Sequence, residues 1–255
     1  MTYTTTPGRP PADPWGAGLH VRDWETWFDA DNRFAWILAD EERVGAVRWY
    51  QDEVTQVVGL GAHEPPPEAS EYALMWLKPR VIQTYSFQPG VVEAATHLGM
   101  QLGHEIFQLR GRLEASGEEA PSELMPVTPQ LAETAGRVYD HAFRAKQGRR
   151  IVWQYLQQFE TAQGFLWRHQ GRPVALYMDR VNPNGEVQLV WLGVLPESRR
   201  LGIGRRLVQA GLRARQRAGR TTAVVQVESP NSGALRLYEQ LGFEWEWTRT
   251  RAELG

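Results

Sequence analysis

The stretch Val194-Leu-Pro-Glu-Ser-Arg-Arg-Leu-Gly-Ile-Gly-Arg-Arg-Leu207 decides how this chain is read. Just upstream, residues 187–194 are apolar on both faces and broken only by Gln188 and Gly193, the pattern of a central strand covered on both sides. Downstream, Ile203, Leu207, Val208, Gly211 and Leu212 form one helical stripe, with Arg205, Gln209, Arg213 and Arg217 opposite. Gly202 and Gly204 therefore stand where a buried strand gives way to a helix N-terminus. First-turn N–H groups there have no intrahelical acceptor, the dipole favours anions, and glycine lets a pyrophosphate approach the backbone. Arg199, Arg200, Arg205 and Arg206 add charge-assisted donors. A phosphate-bearing ligand follows, although neither the Lys-Ser/Thr of a Walker A loop nor the full Gly-x-Gly-x-x-Gly spacing is present. The plain alternative is a pair of glycines kept for steric reasons at a helix start.

Working outward, the periodicity predicts helices over 129–143 and 151–159, a hairpin of strands at 165–169 and 174–181, and the strand 187–194 beside it. A second buried strand, 222–227, leads to a helix that starts at Asn231 and turns Ala234, Leu235, Tyr238 and Leu241 inward. Gly242 ends that helix, and 244–254 closes the unit as a strand region split in two. The order from residue 124 is β-α-α-β-β-β-α-β-α-β. The N-terminal half repeats the plan more briefly, with strands at 45–50, 54–61 and 81–87 and helices at 68–77 and 91–98. Its Leu98-Gly99 followed by an alternating strand parallels Leu241-Gly242, which makes an internal duplication plausible. The polar run 114–123, punctuated by Gly and Pro, reads as a linker. The resulting division is a flexible tail 1–14, a domain 15–114, a linker 115–123 and a domain 124–255.

Composition narrows the function. A hydrophobic content of 42% supports a soluble globular protein with a real core. A net charge of -2 argues against a dedicated nucleic-acid or anionic-membrane binder, so any basic site must be local. The arginines of 199–220 make a solvated helix face and lack the interleaved aromatics of single-strand binders. With no cysteine, thiolate nucleophiles, disulfides and Cys-ligated metals are excluded, and the histidines show no paired ligand spacing, so no metal is expected. Neither a signal peptide nor a run of about 18 apolar residues is present, so the expectation is a cytoplasmic protein with no membrane partner.

Residues 194–207 resemble the (Gln/Arg)-x-x-Gly-x-(Gly/Ala) motif of the GNAT acyltransferase superfamily. Asn231-Ser-Gly-Ala234 followed by Leu237-Tyr-Glu-Gln-Leu-Gly-Phe243 resembles the same family's next strand-to-helix segment, and the resemblance covers 124–255. It implies an α/β (α+β) fold of two GNAT-like domains, each a mixed, mostly antiparallel central sheet flanked by helices. It also implies acetyl-CoA as cosubstrate, held by backbone of Leu192 and Val194 on the pantetheine arm and by the amides of Arg199, Arg200, Leu201, Gly202, Ile203, Gly204 and Arg205 on the pyrophosphate. Asn231 by analogy bonds the pantetheine arm, or else simply caps its helix. Tyr238 occupies the general-acid position: a phenol protonated at neutral pH can donate to the departing thiolate, with a buried structural Tyr as the alternative. For the amine's proton, Glu186, Glu228, His169 and Asp179 lie within or beside the right strands, and no motif singles one out.

The N-terminal half departs from the family where it matters, with His63-Glu-Pro-Pro-Pro-Glu68 in place of the glycine loop and Ala95 where the Tyr would stand. A tandem arrangement with one competent C-terminal and one degenerate N-terminal copy is expected. The expected partner is a small-molecule or peptide amine acceptor, the chain a monomer or homodimer, and the activity N-acetyl transfer. An acyl-CoA-binding regulatory or scaffold protein without turnover is the alternative.

Overall fold

The computed structural model describes residues 2–8, 33–50, 53–59, 67–77, 79, 81–85, 89–113 and 120–254. Its backbone divides into two compact units, one of Met1–Phe107, Glu228–Pro230 and Trp247–Gly255, the other of Gln108–Val227 and Asn231–Glu246. The expected division at the polar run is thus not where contacts separate, and residues 114–119 of that run lie outside the described residues. The chain changes unit inside three strands, because each unit completes its sheet with a segment distant in sequence.

In the first unit the strands are β1 (Tyr3–Gly8), β2 (Arg33–Ala39), β3 (Glu42–Tyr50), β4 (Glu53–Gly59) and β5 (Val81–Tyr85). The helices are α1 (Pro67–Leu77) and α2 (Pro89–His97), and β6 (Met100–Arg112) leaves toward the second unit. The expected flexible tail is corrected: Tyr3–Gly8 pairs antiparallel with β2. Three consecutive threonines favour extended backbone, and an edge strand tolerates Pro7, whose missing N–H costs no ladder bond. The strand β2 has no counterpart in the sequence reading. Ala69, Ala73 and Leu74 of α1 and Val91, Ala94 and Ala95 of α2 pack with Ala35, Ile37, Val47 and Ile82 to form this unit's core. Ala95 is thus a buried core residue.

The second unit contains β7 (Leu124–Pro126), α3 (Ala132–Phe143), α4 (Gly148–Gln158), β8 (Gln163–His169), β9 (Arg172–Val181) and β10 (Val187–Val194). There follow α5 (Ile203–Arg217), β11 (Thr222–Glu228), α6 (Ser232–Glu239) and β12 (Glu244–Leu254), which is one strand rather than two. This element order matches the pattern read from the sequence. The sheet runs β6-β11-β10-β9-β8-β7, mostly antiparallel, with β10 and β11 parallel. Both faces are covered, as the doubly apolar β10 requires. Leu166, Leu176 and Met178 meet Ala135, Val138 and Val152 from the α3 and α4 side, whereas Ala175, Tyr177, Leu189 and Val225 meet Ile203, Leu207, Val208 and Tyr238. Neighbouring residues on β9 alternate between these two cores, the period-2 rule of a strand. Ile203, Leu207 and Val208 are at most 1% exposed, and each such side chain contributes roughly 1.5–3 kcal/mol on burial. That anchors the first turn of α5, and with it the glycine loop.

Candidate active site

The decisive local feature is a fork in the sheet. Pairing between β10 and β11 covers only Val187–Leu189 against Ala223–Val225, and β10 then shifts register against β9 between Leu189 and Trp191. Beyond the shift, Trp191, Leu192, Gly193 and Val194 face Met178, Tyr177, Leu176 and Ala175, and Leu195 donates its N–H to the Val174 carbonyl at 2.9 Å. Antiparallel ladders alternate bonded and non-bonded pairs. Counting back from Leu195, Gly193 and Trp191 bond to β9, so Leu192 and Val194 turn their N–H and C=O groups toward the gap that β11 has vacated.

At the open end of the fork the chain enters α5 through Arg200 at φ 63° and Gly202 at φ 72°. Gly202 is the helix cap residue, and no side chain caps α5. A left-handed conformation there favours glycine. The first turn-closing bond is Arg206 N–H to the Gly202 carbonyl at 3.1 Å, which leaves the N–H groups of Ile203, Gly204 and Arg205 without backbone or side-chain acceptors among the described residues. Gly204 differs from Gly202: a Cβ there would sit in ordinary contact, 3.5 Å from Val194 Cγ2.

These elements enclose a cleft of about 740 Å³. It is lined by Leu192, Gly193 and Val194 of β10, by Ser198 to Arg200 and Gly202 to Arg205, by Asn231, Gly233, Ala234, Arg236, Leu237 and Gln240, and by Ala142 and Phe143 of α3. Four of these residues are arginines and none is acidic. A larger opening of about 830 Å³ lies alongside the later turns of α5, but carboxylates Glu244 and Glu246 share its wall with Arg110, Arg112 and Arg213. Its Arg110 bonds both Glu186 and Glu246, so charge there is largely matched internally.

The expected site residues fall into three groups. Leu192, Val194, Arg200, Gly202, Gly204, Arg205 and Asn231 come together in the cleft, with Ile203 anchored in the core beneath it. Arg199 also lines the cleft, but its side chain is engaged with protein: Nε donates to the Val194 carbonyl at 3.0 Å and Nη2 to the Ala142 carbonyl at 3.2 Å. It clamps the end of β10 to the end of α3. Leu201 is 51% exposed and lies off the lining. Asn231 caps α6, its Oδ1 accepting from Ala234 N–H at 3.1 Å, so half of its amide is already used.

The acid and base candidates are not in the lining. Tyr238 is 3% exposed and packs on Phe243 at 5.5 Å between ring centroids. Burial alone raises its phenol well above the ordinary value. It belongs to the same core cluster as Leu189 and Val225, the residues at which β10 and β11 part. Helical phase explains why Leu237 faces the cleft and Tyr238 does not: consecutive residues differ by about 100°. Glu186 stands at the opposite end of β10, bonded to Arg110 and to Asn184 Nδ2 at 2.9 Å. Glu228 is an exposed strand end, and His169 is the last residue of β8, paired with Arg172. Asp179 is 0% exposed and fully engaged, accepting from Tyr177 Oη at 2.6 Å, Gln163 Nε2 at 3.0 Å and Arg215 Nε at 2.8 Å. Burial nevertheless outweighs these donors and raises its carboxyl. Arg236, Gln240, Ala142 and Phe143 were not foreseen. The i, i+3, i+4, i+7 spacing of Gly233, Arg236, Leu237 and Gln240 could have placed the α6 members on one face.

Residues 130–243 match the sequence profile of the Acetyltransferase (GNAT) family. This segment is similar to the GNAT acetyltransferases. The chain is 39% identical over 87 residues to a mycothiol acetyltransferase of Thermomonospora curvata, a match spanning 33% of this chain and 29% of that protein. It therefore covers under a third of that relative's length. An acetyltransferase from the GNAT family of Colwellia psychrerythraea is similar over 100% of both chains with a TM-score of 0.69 at 13% identity. A tandem GNAT protein from the clavulanic acid biosynthesis pathway is similar over 100% of this chain and 99% of its own, with a TM-score of 0.60 at 14% identity. At such identities the two structures speak to the fold. Among the described residues no cluster of three metal-ligating side chains is present, and no helix is long and apolar enough to cross a membrane.

Proposed function

We propose that the chain transfers an acetyl group from acetyl-CoA to a primary amine of a small-molecule acceptor, by direct attack in a ternary complex. The observation that carries this reading is the convergence, in one carboxylate-free and arginine-lined cleft, of the vacated edge of β10 with the unsatisfied amides that open α5. An extended pantetheine arm is a strand mimic. It would bond Leu192 and the Val194 N–H, because Arg199 already occupies the Val194 carbonyl. The pyrophosphate would meet the amides of Ile203 to Arg205, with Arg200 and Arg205 beside it. The name of the relatives supports a small-molecule acceptor.

In the transfer, the amine lone pair attacks the thioester carbonyl carbon, the C–S bond breaks, the sulfur takes the phenolic proton of Tyr238, and the phenolate then regains a proton from water. Burial keeps that phenol protonated, as a donor must be. No acidic candidate lines the cleft, so we assign the amine's proton to water, with Glu186 and Glu228 in structural or solvated roles. Holding amine and thioester together then supplies much of the acceleration.

The N-terminal unit fits a degenerate second copy. Its sheet order, β1-β2-β3-β4-β5-β12, also has its fourth and fifth strands parallel, paired only over Glu53–Val54 against Val81–Ile82. The substitute for the glycine loop at 63–66 lies outside the described residues. A second functional reading, acyl-CoA binding without turnover, is favoured by one observation, the absence of Tyr238 from the cleft lining.

Calorimetric titration of acetyl-CoA into the intact chain tests the site, beside a Gly202→Glu variant that puts a carboxylate at the helix start. Binding at about one site per chain, lost in the variant, is expected. Thiol release on adding candidate amines separates the enzyme from the binding protein, and no binding by the intact chain would overturn both.

A further inference from the structure

Acyl-CoA carries more anionic charge than its pyrophosphate, and the cleft holds one arginine more than a pyrophosphate at the start of α5 uses. Arg199 is engaged by the Val194 and Ala142 carbonyls, and Arg206 by the Leu201 carbonyl and the face of Trp167. Arg200 and Arg205 flank the free amides on one wall. Arg236 comes from the other wall, on α6, one turn beyond Ser232. Among the described residues its bonds are long contacts within its own helix, Nε to the Ser232 carbonyl at 3.4 Å and Nη2 to Ser232 Oγ at 3.5 Å. Both lie beyond the usual range for a guanidinium bond, so its donors are free to turn to a better acceptor. No carboxylate in the lining neutralises it, and among the described residues it forms no ion pair.

We propose that Arg236 binds a second phosphate, set apart from the pyrophosphate, so that the cleft selects coenzyme A bearing its ribose 3′-phosphate over the dephospho form. The proposal rests on the acyl-CoA reading and adds a specificity-determining residue to it. A planar guanidinium can meet phosphate oxygens through two parallel N–H bonds. Its i+4 neighbour Gln240 lines the same wall and leaves that approach uncharged.

The test is a titration of coenzyme A and of 3′-dephospho-coenzyme A into the intact chain and into the Arg236→Gln and Arg200→Gln variants, at two salt concentrations. The intact chain should prefer coenzyme A by about tenfold or more, with the preference shrinking at high salt because Arg236 is exposed. Arg236→Gln should erase the preference while leaving the dephospho form within about twofold, at unchanged thermal midpoint. Arg200→Gln should weaken both ligands alike. Equal weakening of both by Arg236→Gln, an unchanged preference, or no preference in the intact chain would each overturn the proposal while leaving the acyl-CoA site standing. If the intact chain binds neither ligand, the reading beneath it fails too.

Discussion

Replacing Tyr238 by Phe removes a single oxygen from a residue that is 3% exposed and packed on Phe243, and whose hydroxyl is not among the buried polar atoms left without a partner. The ring keeps its packing against Phe243, so no cavity opens. The variant should therefore match the parent's stability to within about 1 kcal/mol, or roughly 2–4 °C in Tm. Catalysis should fall. A positioned general acid contributes about 10²–10⁴-fold, or roughly 3–5 kcal/mol of barrier. The assay is thiol release from acetyl-CoA with a saturating amine, resolved into kcat and KM, beside a calorimetric Kd for acetyl-CoA. A loss confined to kcat, with Kd within about twofold, is expected because Leu237 and not Tyr238 lines the cleft. Burial raises the phenol, so Tyr238 stays protonated through mildly alkaline assays. The variant should therefore lower the pH–rate profile without removing an alkaline limb. A kcat within about threefold of the parent would refute the acid role.

Asp179→Ala should cost about 3–5 kcal/mol, since it strands the Arg215 guanidinium, whose side chain is 13% exposed, and the Tyr177 hydroxyl inside the core; chemical denaturation measures it, and a loss below about 1 kcal/mol would contradict the burial argument. Because burial raises the Asp179 carboxyl, the folded state holds that proton more tightly than the unfolded chain. Its stabilising contribution is complete below the unfolded value of about 3.9 and is lost as pH rises through the folded value. The stability difference between parent and Asp179→Asn should accordingly change across that acid window and stay flat above it, as parallel thermal melts would record. Gly193→Ala places a Cβ at 2.8 Å from both Ala142 Cβ and Phe143 Cε2. Overpacking of this kind costs about 1–3 kcal/mol, and since all three residues line the cleft, acetyl-CoA affinity should fall with stability in the same titration and melt.

Much of the second unit is legible from periodicity. The doubly apolar run 187–194 is a central strand with helices on both faces, and the stripe beginning at Ile203 is the buried face of α5. Boundaries moved where backbone geometry intervened. Helix α4 begins at Gly148, three residues ahead of the apolar pattern, because Gln147 turns at φ 78° and Asp140 Oδ1 accepts the Gly148 N–H at 2.9 Å. The first unit was harder to read. A threonine run that looks like a tail is an edge strand, because its β propensity is realised only when β2 is beside it.

By itself, the sequence determined the order of elements in the second unit, the placement of glycines at a strand-to-helix junction, and the family those two motifs resemble, since all of these are local patterns of polarity and spacing. Only the tertiary structure decided how individual side chains are used. Arg199 is a clamp because two carbonyls from separate elements lie within its reach, Asp179 is saturated because β8 and α5 bring it donors, and Tyr238 is turned into the core by helical phase and packing. Which unit owns a segment was likewise decided by pairing: the last strand, contiguous with the second unit in sequence, contributes Arg249–Glu253 to the sheet of the first. Hydrogen-bond partners distant along the chain leave no imprint on local periodicity, and they are what assigns each polar group its role.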